Sequence, residues 1–428
     1  MAARFYQVVR PTVALLDVRT LPPWRLFAGS AVLASVLFGF AVGTWLFVAP
    51  LLAVSPERQL ELVRLHGHVQ LYGFAITLTI GVAYWFLPRL WGMAHTTMMH
   101  PTRSWVLLFG GMAIRTLGVL LGQYELALLG AVMESVGGAS VAIDFARLVA
   151  QRPASGKERD PAVLVAIGFT AMALPLGLGA DTLGIAGASS VGTQLGILLG
   201  FYGVLVPVAL AMSGRLFPLY FRTHIPNRRG LAVTILLNLL GLVLRCLGVV
   251  IGQEGSVRLG GAVQGLGMLG AIVALRLLEP RRALTGVARV LWHDPTAWMA
   301  AIAYGWFAVA AVWLMGTAVA ESGRAVTLEW HLVGVGYLLT LIFAVGSHLL
   351  PGFAGQRPRA PRAGWLLLVV ALGMTSLRLL AALTSGGLSS IAGSLAGLLG
   401  MGAMAVFAWH VGLLASRGRR PHGREPTC

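Results

Sequence analysis

The sequence predicts an all-α polytopic membrane protein of about twelve transmembrane helices. Three observations carry that reading. Of the 428 residues, 57% are hydrophobic and only 11% charged, against about 25% charged in ordinary globular chains. Apolar runs recur along the whole chain, and about 20 such residues suffice to cross a bilayer as a helix. The links between the runs are short, so the chain reads as one membrane domain over 1–428 with no room for a soluble one. In lipid a backbone must satisfy its own hydrogen bonds, which makes these runs helices. The short alternating segments of a β-barrel are absent.

Taken in order, the expected spans are 27–52, 62–88, 104–122, 126–149, 161–185, 192–218, 231–252, 257–278, 296–320, 328–351, 364–384 and 388–413. The first follows Arg4, Arg10, Arg19 and Arg25. It is long for a cleavable signal and lacks a small-residue cleavage site, so it is expected to stay as an anchor.

Loop charge sets the orientation. Of the 32 basic residues, Arg58, Arg64, Arg258 and Arg324 fall on one side, Arg115, Arg245 and Arg378 fall inside spans, and the other 25 fall on the opposite side with both termini. The arginine-rich side is therefore expected to be cytoplasmic, in an inner membrane of bacterial type. The formal charge of +17 suggests nucleic acid until it is placed on the chain; spread over short loops, it gives no binding face. Cys246 lies inside an apolar run and Cys428 at the end, which supplies neither a disulfide framework nor a cysteine metal site.

Three segments repeat. Gly73, Gly203 and Gly336 each precede a proline by 15 residues, at Pro88, Pro218 and Pro351. Each proline precedes an in-span arginine by 27 residues, at Arg115, Arg245 and Arg378. The chain thus reads as three four-helix units, approximately 27–149, 161–278 and 296–413. An even number of spans per unit gives all three one orientation, around a pseudo-threefold axis along the membrane normal. Two six-helix halves, as in many transporters, would repeat only once.

Ionisable groups inside spans are costly and commonly functional. His68 stands five residues before Gly73 and His331 five before Gly336, with Leu198 in that place in the second unit. Two readings stand: histidines bonded near the outer surface, or imidazoles that converge as axial ligands of a haem iron. His66, about 200° from His68 around a helix, cannot share its direction; it binds a second metal, orients the first, or faces solvent. Arg115, Arg245 and Arg378 are candidates for haem propionates, in the fork geometry that arginine offers carboxylates. One haem leaves at least one of them a structural role. Glu134 and Asp144 are proton-path residues or partners of in-span arginines, and Tyr72 and Tyr202 are matched and pack. His348 and His410 lie near the other helix ends, His348 about 25 Å from His331 by helix rise, and are not expected to share its metal.

Twelve helices in like-oriented fours with histidines on the second and tenth resemble subunit I of the haem-copper oxidases. The stretch HGHVQLYGFAITLTIGVAYWFLPRLWG (66–92) and the stretch WHLVGVGYLLTLIFAVGSHLLPGFAG (330–355) resemble the NnrS family more specifically. That resemblance implies haem, of b type, with copper associated, and a role in resisting nitric oxide. Departures are visible: Val69 follows the second histidine where the family has an acid, and spans 6 and 7 hold no histidine, so an oxidase-type copper trio lacks its ligands. The function expected is an NnrS-type haem protein that handles nitric oxide, with the lipid bilayer, a small ligand such as nitric oxide and an electron donor as partners. The rivals are an oxidoreductase acting on nitric oxide or quinol, and a transporter of an anionic solute.

Overall fold

The computed structural model describes residues 22–52, 54–93, 99–151, 160–187, 190–277, 279, 292–319 and 325–414. Arg4, Arg10, Arg19, His95, Lys157, Arg324, His422 and Cys428 lie outside the described residues.

Among the described residues twelve helices are long and apolar enough to cross a membrane. They are α1 (Pro23–Val48), α2 (Pro56–Leu90), α3 (Pro101–Leu121), α4 (Tyr124–Gln151), α5 (Pro161–Ala186), α6 (Ser190–Tyr220), α7 (Arg228–Ile251), α8 (Glu254–Leu275), α9 (Pro295–Ala318), α10 (Leu328–Phe353), α11 (Arg362–Leu383) and α12 (Gly386–His410). The protein is a multi-pass helical membrane protein. Large apolar side chains such as Leu183, Val250 and Val273 stand on its outer surface, where lipid replaces water.

Helix starts follow their capping chemistry. Ser55, Asp160 and Asn227 each accept a backbone N–H at the first turn of α2, α5 and α7. The expected bounds hold within a few residues, with one correction. Helix α2 begins at Pro56, not near 62, because Ser55 and Pro56 start a helix through the polar stretch PERQLELVR, which a hydropathy count passes over. Its 35 residues span about 52 Å, so His66 and His68 lie about three turns inside the helix rather than at its opening.

Helices α2, α6 and α10 are the innermost. Their apolar windows are 72%, 61% and 67% buried, against at most 50% for any other span. Each changes from α- to π-helical winding at a matched place: after His68, after Leu198 and after His331. The three π-helical segments, Val69–Ile76, Leu199–Leu205 and Leu332–Leu339, touch one another pairwise. Pro88, Pro218 and Pro351 end the same three helices in their last turns. Each repeat glycine takes a neighbouring helix: a Cβ at Gly73 would lie 2.2 Å from Met112 Sδ on α3, and one at Gly336 would lie 2.9 Å from Trp306 on α9. Small residues let α3 and α4, and likewise α7 and α8, approach backbone to backbone.

Candidate functional site

Two clusters of buried polar side chains occupy matched places on the arginine-poor side of α2, α6 and α10. The first is built on His68, buried at the α-to-π junction of α2. Its Nε2 lies 2.5 Å from Glu134 Oε2 on α4, and its Nδ1 lies 3.0 Å from Asp181 Oδ2 on α5. Arg115 on α3 donates to the same Asp181 oxygen at 2.7 Å and comes within 3.3 Å of His68 Nε2. Tyr72, one turn further along α2, stacks on the imidazole at 5.1 Å and donates its hydroxyl to the Gly196 carbonyl on α6 at 2.6 Å. A carboxylate thus stands close to each ring nitrogen, hydrogen-bonded at Nε2 and in ion-pair contact alone at Nδ1.

The second cluster is an arginine fork. Arg245 on α7 donates from Nη1 and Nη2 to Glu329 Oε1 and Oε2 on α10, at 2.7 and 2.9 Å. Tyr202 on α6 donates to Glu329 Oε1 at 2.6 Å, and Gln264 on α8 accepts from Arg245 Nη1 at 2.8 Å. All four side chains are buried. Bidentate, charge-assisted bonds of this type are the strong ones, and good geometry of this kind is what offsets the cost of burying an ion pair; Arg245 Nε and Gln264 Nε2 are left without partners among the described residues.

The third arginine is placed differently. Arg378 on α11 lies over the ring of Phe47 on α1, 4.7 Å from its centre. His66, two residues before His68, donates from Nδ1 to the Gly39 carbonyl on α1 at 2.8 Å. Among the described residues no carboxylate pairs with Arg378.

Glu134 is thus a partner of His68, in the field of Arg115. Asp144 ties a different place, accepting from the Tyr84 hydroxyl at 2.8 Å and from the His100 backbone N–H at 2.9 Å. His348 stacks on Tyr220 and bonds Thr296 Oγ1 at 2.7 Å, and His410 is buried at the end of α12. Asp181, Gln264 and Glu329 were not foreseen. Glu329 has a signal in the sequence, since it stands in register with His66; Asp181 has none, since it reaches the cluster from α5.

The Nε2 of His68 is hydrogen-bonded to Glu134, while its Nδ1 lies 3.0 Å from Asp181 in ion-pair contact without a hydrogen bond. Arg115 and Arg245 hold protein carboxylates and are not open to propionates. Among the described residues no group of three or more His, Cys, Asp or Glu is disposed to hold a metal ion. A separate apolar cavity of about 160 Å³ lies where α2, α5, α6 and α10 converge towards the arginine-rich side, lined by residues such as Leu78, Ile167, Val204, Ala211 and Leu338.

Twelve membrane-crossing helices around a buried polar centre on three inner helices define the class: a multi-pass helical membrane protein with an ionisable core. The sequence model of the NnrS protein family matches residues 22–419, nearly the whole chain, and the chain belongs to that family. No curated protein matches it.

Proposed function

We propose that this NnrS-type membrane protein acts in handling or resisting nitric oxide. The observation that carries the reading, beside family membership, is the cavity of about 160 Å³ at the convergence of the inner helices. Its lining is aliphatic and aromatic apart from a few hydroxyls such as Thr79, Thr170 and Ser213. Apolar cavities of this size stay dry and take small apolar molecules, and nitric oxide is small, uncharged and soluble in the bilayer. The test is survival of a deletion strain under a nitric oxide donor. Wild type should restore growth, and Ala211→Phe, which fills the cavity, should not. Equal protection by Ala211→Phe removes the cavity from the account, and no protection by wild type removes nitric oxide.

The cofactor in this reading is haem of b type, with copper as a second metal at His66. The register of His68 and His331 supports them as its axial ligands; the bond of His68 Nε2 to Glu134 and the contact of Nδ1 with Asp181 speak against it. That geometry favours a second reading, in which His68 shares protons with the two carboxylates and ligates nothing. Oxidised and reduced spectra of the purified protein separate the two. Loss of a low-spin haem in both His68→Ala and His331→Ala, with His348→Ala and His410→Ala unchanged, carries ligation. A haem kept in His68→Ala assigns His68 to the proton network.

The arginine distribution supports an inner-membrane protein with cytoplasmic termini. Reporter fusions after Arg222 and near Ser322 should read cytoplasmic and periplasmic respectively. The opposite result overturns that orientation.

A further inference from the structure

The three in-span arginines share one register, and that register shows what the third has lost. Nineteen residues after each arginine stand Glu134, Gln264 and Gly397. Forty-three residues before each stand Tyr72, Tyr202 and Val335. The residues two before the matched His68, Leu198 and His331 are His66, Gly196 and Glu329. Arg115 and Arg245 reach forward in the chain, from their own unit to an acid of the following one: Asp181 and Glu329. Asp181 stands in for the side chain that Gly196 lacks, because a Cβ at Gly196 would lie 2.9 Å from Asp181 Cβ.

Arg378 closes the round by reaching α1 of the first unit. There the amide or acid has become Gly397, the tyrosine Val335, and the acid His66. The His66 ring lies against Gly43 and the Arg378 guanidinium over Phe47, one turn apart on α1, so the two share one locality. Nδ1–H of His66 is held by the Gly39 carbonyl, which leaves Nε2 with no hydrogen-bond partner among the described residues. Phe47 is locked against α12, since a Cβ at Gly393 would lie 2.4 Å from its ring. Its face meets the guanidinium carbon at 4.7 Å in a cation–π contact, which leaves the in-plane fork of N–H donors unused; among the described residues no side chain or carbonyl accepts from it. A guanidinium at membrane depth calls for a counter-charge.

We propose that Arg378, beside His66, binds a carboxylate-type anion supplied from outside the polypeptide, in the place that Asp181 and Glu329 fill for the other two arginines. The anion is either a free small carboxylate or the carboxylate of a larger bound molecule. This inference stands on the register and the contacts of Arg378 and does not depend on the nitric oxide or haem readings.

The test uses the full-length protein in detergent, exchanged into a carboxylate-free zwitterionic buffer. Melting temperature is followed against sodium acetate, with sodium chloride at matched ionic strength as control. Acetate should raise the melting temperature of wild type saturably and beyond chloride. Arg378→Gln should weaken the acetate dependence at least tenfold. His66→Glu, which supplies the missing acid within the chain and keeps the arginine, should abolish the dependence and melt without acetate as wild type does with it. If wild type instead emerges already loaded, native mass spectrometry should find a stoichiometric carboxylate-bearing molecule that Arg378→Gln and His66→Glu both lose, which identifies the larger source. The proposal is overturned by wild type that shows neither effect, or by an acetate response unchanged in both variants.

Discussion

The surroundings of Arg245 and Arg378 differ more than their shared register suggests. Arg245 is enclosed by a forked carboxylate, a tyrosine hydroxyl bonded to that carboxylate, and a glutamine. Arg378 has an aromatic face and, one turn away along α1, a histidine in place of an acid. The two arginines stand 27 residues after matched prolines, so backbone position is not what separates them. What separates them is three side chains, at 264, 202 and 329 against 397, 335 and 66. A repeated backbone thus carries a neutral, closed ion pair in one place and an open cation in another.

The comparison can be broken by substitution, and the largest effect falls on the closed pairs. Asp181→Leu and Glu329→Leu each strand a buried arginine and should cost about 3–5 kcal/mol, whereas His66→Ala should cost less than about 1 kcal/mol; thermal melting in detergent measures both. Next in size is recovery. Arg245→Met placed on Glu329→Leu removes both charges, and replacing a buried pair by apolar residues is often neutral or stabilising. The double variant should regain most of the loss, and a double-mutant cycle that shows simple additivity would deny that the two side chains act as one unit. A smaller step separates two tyrosines. Tyr202→Phe removes a bond to a carboxylate and should cost about 1.5–3 kcal/mol, while Tyr72→Phe removes a bond to a carbonyl and should cost about 1 kcal/mol. Smallest of all is Arg258→Ala, which loses an exposed pair with Glu254 one helical turn away and should cost about 0.3–0.5 kcal/mol.

Much of the fold is legible in the sequence, for a physical reason. Lipid imposes helices of known length, and the hydropathy record marks them to within a few residues. The start of α2 was not legible, because the polar turns at Pro56–Arg64 carry no hydropathy signal and are fixed by the Ser55 cap. The Gly–Pro–Arg register also pointed to the right levels: His68 and Arg115 do meet. Register equates positions, however, and does not say which of them face each other. It matched His68 with His331 but left open that His68 turns to Glu134 and Asp181. Glu329 could have been found, since it stands where His66 does. Asp181 could not, because it comes from α5 and is admitted only by the missing side chain of Gly196. That is a packing fact, and a repeat alignment places the two residues on different helices.

The occupant beside each arginine, and not the backbone around it, decides whether the place is closed or open to an anion. Opening the second place tests this most directly. Glu329→Ala, made in the His66→Glu background so that the third arginine already has its acid, leaves a carboxylate-sized gap beside Arg245. The melting temperature should fall, and sodium acetate should restore most of it with a saturable dose response, while sodium chloride at equal ionic strength should not. Adding Arg245→Gln should remove the acetate response. Acetate that stabilises Glu329→Ala no more than its Glu329-containing parent, or that acts equally without Arg245, would contradict the account.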